Sequence, residues 1–153
     1  MADNLDINYV AEPTARIFHD DNHMLRGILG PVGSGKTSAC CMEIFTRALE
    51  QKPFNGVRRS RWAMIRNTYP ELLSTTLNTW EEWVPPQICR VTRGTPVRGE
   101  LKVNLHDGTR VEAEIIFMAL DQEEDARKLK SLELTGAFIN EASEIRKSVL
   151  DML

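Results

Sequence analysis

The 153-residue sequence is short of several things, and each shortage narrows the field. Cysteine is scarce: Cys40 and Cys41 are adjacent and Cys89 stands far away. An odd number of thiols without metal-ligand spacing fits a reducing compartment and buried, unreactive side chains. No apolar run approaches the ~20 residues that cross a bilayer. The first residues, Met1-Ala2-Asp3-Asn4-Leu5-Asp6, lack the basic and hydrophobic stretches of a secretory signal. Positive charge is not in surplus either. Lys and Arg number 19 against 22 Asp and Glu, a net charge of −3, so bulk charge does not advertise a nucleic-acid binder. Histidine is sparse. His19 and His23 are four apart without a third ligand near them, and His106 sits beside a turn signal, so the histidines form no convincing metal set. Repeats and low-complexity tracts are absent. What remains, 42% hydrophobic and 27% charged, is the composition of one globular domain with a real core.

The most informative stretch is Gly30-Pro31-Val32-Gly33-Ser34-Gly35-Lys36-Thr37. It fits G-x-x-x-x-G-K-[ST], the phosphate-binding P-loop. Gly30, Gly33 and Gly35 let the loop curl so that its N–H groups point inward. Lys36 supplies a cation for the β- and γ-phosphates, and the Thr37 hydroxyl is placed to ligate Mg²⁺. Ser38 extends the same set into the first turn of the following helix, whose dipole adds positive potential. Context supports the match. Residues 25–29 form a short apolar run suited to a buried strand. Residues 37–50 carry Cys41, Ile44, Phe45, Ala48 and Leu49 at helical spacing, with Glu43 and Arg47 as an i,i+4 pair on the other face.

Residues 1–23 are polar and without periodicity and read as an N-terminal arm, leaving 24–153 as the P-loop domain. Phe18 and His19 could lie against a base, but simple packing is the plainer reading. Trp62-Ala63-Met64-Ile65 predicts a strand of a parallel sheet buried on both faces. Asn67 or Thr68 can cap the next helix, in which Leu72, Leu73, Leu77, Trp80 and Trp83 recur until Pro85-Pro86 stops it. Leu101, Val103 and Leu105, then Val111, Ala113, Ile115 and Phe117, alternate with polar residues around Asp107-Gly108, a hairpin whose second strand enters the central sheet. Residues 121–132 predict a charged helix, 134–139 a buried strand, and a last helix starts near Ala142 and Ser143. Arg58, Arg59, Arg61 and Arg66 cluster, as do Arg90, Arg93, Arg98 and Lys102. Such clusters are more often solvated faces than phosphate contacts.

A P-loop enzyme needs a second strand ending in acid, the Asp for the Mg²⁺ shell and the Glu to polarise water. Gly136-Ala137-Phe138-Ile139-Asn140-Glu141 fits with one departure: Asn140 stands where Asp is expected and brings no charge, which weakens Mg²⁺ affinity. Glu141 is the candidate general base, though a helix N-terminus also favours an acid. Arg66, Arg127, Lys128 and Lys130 are the candidate cations for transition-state charge.

Taken together, the 30–37 loop, Ile65-Arg66-Asn67-Thr68-Tyr69-Pro70-Glu71-Leu72, the tryptophan-rich helix, Lys128-Leu129-Lys130-Ser131-Leu132-Glu133-Leu134-Thr135-Gly136 and Ile139-Asn140-Glu141-Ala142 resemble the ATPase domain of a tailed-bacteriophage terminase large subunit. The resemblance runs from about residue 17 onward. It implies an α/β P-loop NTPase fold of the additional-strand type, a mainly parallel sheet flanked by helices with an inserted hairpin. It implies ATP and Mg²⁺ as cofactors, with Lys36, Thr37 and Glu141 at the site. A basic residue shortly before the acidic strand acts across the ring in some members, and Arg127, Lys128 or Lys130 would match it loosely. The family packages double-stranded DNA into a procapsid in the host cytoplasm, as a homo-oligomeric ring on the portal protein with a small terminase subunit and no membrane. The family continues after the acidic strand with a coupling motif, further strands and a nuclease domain, so the chain is expected to be an incomplete version. Two other readings stand beside this one: another P-loop enzyme, such as a helicase or small-molecule kinase, and a nucleotide-binding assembly module that is inert alone.

Overall fold

A computed structural model describes residues 1–152. Its centre is β1 (Val57–Arg66). The strand is polar where it begins and apolar where it ends because only its C-terminal half is covered on both sides. Trp62, Ala63, Met64 and Ile65 are all buried. β1 pairs in parallel with β4 (Arg110–Ala119) on one side and with β5 (Gly136–Ile139) on the other. β3 (Val97–Asn104) runs antiparallel to β4, and β2 (Cys89–Thr92) antiparallel to β3. The order is β2-β3-β4-β1-β5, so four of the five strands point the same way and β3 alone is reversed. The Asp107-Gly108 turn joins β3 to β4 as its sequence predicts, with Gly108 at φ 83°.

The period-two alternation divides the core in two. Trp62, Met64, Val111, Ala113, Ile115 and Phe117 face α2 (Lys36–Glu50) and the helical segment after β1. That segment is one turn of α3 (Tyr69–Glu71), a π-helical stretch Leu72–Leu77, and α4 (Asn78–Trp83). Trp80 and Phe117 meet edge to face across this core at 6.3 Å between ring centres. On the opposite face, Ala63, Ile65, Ile116 and Met118 pack on α5 (Glu123–Lys130) and α6 (Lys147–Leu150). The N-terminal half of that face is left open. It carries Arg59 and Arg61 against Glu112 and Glu114, with Arg98 also on Glu114. Two of the four arginines of the β1 cluster, Arg59 and Arg61, thus belong to a solvated ion-pair ladder. Arg58, on the other face, donates to the Leu49 and Gln51 carbonyls and so closes the C-terminal end of α2.

Four expectations are corrected. Residues 25–29 form no strand: Leu25 and Leu29 are exposed, the segment enters no ladder, and its apolar side chains are not buried against the sheet. The strand over 134–139 is not buried. β5 is only four residues long, lies at the edge of the sheet and leaves Ala137 exposed. The last helix does not start at Ala142. A 3₁₀ turn Ala142–Glu144 intervenes before α6. The arm contains a helix, α1 (Pro13–Asp20), whose single buried residue, Ala15, gives no apolar stripe to read. Within the arm, Leu5, Ile7 and Tyr9 pack on the α2-side core, and Asp3 exchanges hydrogen bonds with Asn104 at the end of β3.

One small residue decides how β5 reaches β1. A Cβ on Gly136 would lie 2.7 Å from the Trp62 ring, which its own Nε1–H donation to Ser60 at 2.9 Å restrains. Gly136→Ala must displace that ring, and overpacking of this kind costs about 1–3 kcal/mol. The expected outcome is a lower thermal midpoint for Gly136→Ala. A midpoint equal to wild type would show that the ring swings aside freely.

Candidate functional site

The loop Gly30–Thr37 delivers the chain into α2. Gly33 and Gly35 take left-handed backbone angles, φ 77° and 78°, and Gly35 is the N-cap of α2. Gly30 is small by necessity, since a Cβ there would sit 2.9 Å from Ser34 Oγ. No side chain caps α2 and no acid occupies its first turn. Its leading end therefore keeps the positive partial charge of its free N–H groups. Lys36 folds back over the loop, its Nζ donating to the carbonyls of Gly30 and Pro31 at 2.7 Å each. Pro31, Val32 and Ser34 are exposed, while Thr37 and Ser38 are half-buried at the helix start. Glycines with positive φ, an uncapped helix end and a movable ammonium together suit a polyanion such as a nucleotide triphosphate.

The second component comes from the far end of β5. Asn140 follows the strand directly, and its N–H continues the ladder by donating to the Ile65 carbonyl at 2.8 Å. The side chain is buried between two threonines. Its Oδ1 accepts from the Thr37 hydroxyl at 3.4 Å, and its Nδ2 donates to Thr76 Oγ1 at 3.0 Å. The first contact is longer than an ordinary hydroxyl hydrogen bond, so it fixes proximity more than energy and leaves Thr37 free to turn to a cation. Glu141 comes next, exposed and at φ 54°. A non-glycine residue in that region is uncommon, and such strain gathers at functional sites.

Arg66 ends β1, next to Asn140 across the parallel ladder. It is buried, with Nη2 3.1 Å from Glu144 and 3.9 Å from Glu71, while Nε and Nη1 have no partner within the protein. The other candidate cations lie elsewhere. Arg127, Lys128 and Lys130 are exposed on α5, on the opposite face of the sheet from α2, and Lys128 pairs with Glu124. The fold does not bring these three to the loop. Among the described residues no three His, Cys, Asp or Glu side chains gather as a metal cluster. The three cysteines are free and buried, and burial pushes the Cys89 and Cys40 thiols up to about 11 and about 12. Thr76 was not singled out in the sequence. The available signal was a hydroxyl inside an apolar helical pattern whose Leu72 to Leu77 spacing is five.

No family model matches the chain and no curated relative matches it. Among solved structures, the large terminase from the thermophilic bacteriophage D6E (crystal form 2) matches with a TM-score of 0.56 at 14% sequence identity. The match covers 79% of this chain and 28% of that chain. At that identity the likeness is one of fold: a mixed α/β domain with a mostly parallel five-stranded sheet between helices.

The approach to the loop is anchored by Glu43, which forms the i,i+4 pair with Arg47 that its spacing predicts and is also a buried hub for other partners. Arg26 and Arg47 both reach Oε1 at 2.7 Å, and His19 Nδ1 lies 2.5 Å from Oε2. Tyr9 hydrogen-bonds His19 Nε2 at 3.1 Å, so His19 is a packing residue of this hub. Phe18 lies under the Arg26 guanidinium, 5.0 Å from it. Burial alone would raise the Glu43 carboxyl. Hydrogen bonds with His19, Arg47 and Arg26 outweigh it and hold the group below its ordinary value. A lowered folded value adds stability that is full above the ordinary carboxylate range and is lost as pH falls through the lowered one. Glu43→Gln is expected to cost about 1–3 kcal/mol at neutral pH by removing the carboxylate that Arg26 and Arg47 share. Denaturant midpoints measured down through the carboxylate range should show the two proteins converging in acid. A constant gap would place the effect in packing rather than in charge.

Proposed function

We propose that this chain is the ATPase unit of a viral DNA-packaging motor, coupling ATP hydrolysis to movement of double-stranded DNA into a procapsid. The observation that carries the reading is the meeting of Thr37 with Asn140. It joins the start of α2 to the C-terminal end of β5, where an open α/β sheet places its ligand. The fold likeness to a phage large terminase supports the biological setting. This chain spans 28% of that protein's length, so the assembly around it is inferred from the resemblance. The partners in this reading are DNA, a portal protein, a small terminase subunit and further copies of the chain in a ring, in the host cytoplasm. Among the described residues no helix is long and apolar enough to cross a membrane.

The residues take the following parts. The loop 30–37 and Ser38 bind phosphates through backbone N–H groups and the helix dipole. Lys36 leaves the Gly30 and Pro31 carbonyls to bind the β- and γ-phosphates. Thr37, backed by Asn140, holds Mg²⁺, which neutralises phosphate charge when bound. Glu141 accepts a proton from, or orients, the attacking water. Arg66 supplies buried positive charge through its two unpartnered N–H directions. A further cation from a neighbouring subunit would complete the site, and such a group is worth ~10³ or more in rate. Slow turnover by the chain alone is therefore part of the reading. Arg127, Lys128 and Lys130 would serve across a ring, since within one chain they lie away from the loop.

Lys36→Ala is expected to weaken ATP binding roughly tenfold or more, read by calorimetry with Mg²⁺ present. Equal affinity in both proteins would remove the nucleotide site. Turnover that rises with added double-stranded DNA is expected of a packaging motor. ATP binding with no hydrolysis under any DNA or protein concentration would favour an assembly module.

A further inference from the structure

We propose that Thr76 is a positioning residue of the nucleotide site, acting through Asn140. The inference rests on the reading of 30–37 as an ATP–Mg²⁺ site. Where an amide replaces a carboxylate beside a metal-binding hydroxyl, its orientation matters. A carboxylate presents oxygen on both sides, whereas an amide presents oxygen on one side and two N–H donors on the other. If Thr37 gives a lone pair to a cation, its proton needs an acceptor, and Asn140 Oδ1 is the one it faces. The Nδ2 group must then point away from the loop and find its own partner.

Thr76 provides that partner. It is fully buried, and its Oγ1 lies 3.0 Å from Nδ2. It lies in the π-helical stretch Leu72–Leu77. In an α-helix, positions 72 and 77 would lie ~140° apart around the axis. The wider π turn brings i and i+5 onto nearly one face, so Leu72 and Leu77 both enter the core, and Thr76, four residues after Leu72, lies on that face as well. Without the hydroxyl, Nδ2 is left buried and unpaired in the orientation that serves Thr37. Leaving a buried donor unmade costs about 1–3 kcal/mol. That cost weighs more on the metal-loaded form, because without metal the Thr37 hydroxyl can either donate or accept and the amide is not held to one orientation.

The test is ATP affinity measured by calorimetry in EDTA and in Mg²⁺, taken as a ratio for each protein. General loosening of the fold would weaken both arms together and leave the ratio unchanged. Thr76→Val, which keeps the shape, is expected to reduce the gain from Mg²⁺ about tenfold. Thr76→Ser, which keeps the hydroxyl, is expected to retain it. Thr76→Ala decides the matter if the valine variant does not fold. A wild-type ratio in Thr76→Val or Thr76→Ala would overturn the role of Thr76 and leave the nucleotide site standing. A Thr76→Ser chain that loses the gain would trace the effect to the methyl group and likewise overturn it. A wild-type chain that binds no ATP in either condition would overturn the nucleotide reading, and this inference with it.

Discussion

A buried amide must have both of its ends met, and Asn140 has them met from two different parts of the chain. Its oxygen faces Thr37 at the start of α2, and its nitrogen faces Thr76 inside the π-helical stretch. The strand order makes this convergence possible. β1 pairs with β4 on one side and β5 on the other, so the C-terminal ends of all three open toward the same edge. Gly136 lets β5 slide under the Trp62 ring, and that approach sets where Asn140, Glu141 and the partner position Arg66 fall. A displacement of β5 would therefore disturb the loop contact, the amide lock and the strained Glu141 backbone together.

Charge is arranged in two distinct ways in this molecule. On the open half of the sheet, Arg59, Arg61 and Arg98 are matched by Glu112 and Glu114 in solvent, where such pairs contribute little to stability. Around Glu43 the pairing is buried, and it holds α1, Arg26 and α2 as one unit behind the loop. Arg66 belongs to neither class. It is buried with two carboxylates on one side and unspent donors on the other, which suits a residue that shifts its partner when a phosphate arrives.

What the sequence made legible was whatever depends on near neighbours. The glycines, lysine and threonine of 30–37 define their loop, the unbroken run 62–65 defines a strand covered on both faces, and Asp107-Gly108 defines the hairpin. What it hid depends on distant partners. Residues 25–29 look like a strand, but a strand also needs a partner in the ladder, and apolar spacing carries no information about one. Glu43 and Arg47 form the pair their spacing predicts, but an i,i+4 relation says nothing of Arg26 and His19 arriving from another segment. Helix α1 fully buries only Ala15 and is otherwise tied down by polar contacts of His19, so its sequence shows no apolar stripe and only Pro13 at its first position marked it. Thr76 falls four residues after Leu72 and so on the same helical face, but its partner Asn140 arrives from the end of β5, which the helix's own spacing does not show.

The central claim is that the start of α2 and the end of β5 form one site through Thr37 and Asn140. The most direct measurement is a double-mutant cycle on ATP affinity in Mg²⁺, using Thr37→Val, Asn140→Ala and the pair together. Residues that act in one site show interaction energies of about 0.5–3 kcal/mol. The expected result is a clear coupling within that range, with the double variant weakened by less than the sum of the singles. Strict additivity would mean that the two residues approach each other without sharing a ligand, and would contradict the site as described.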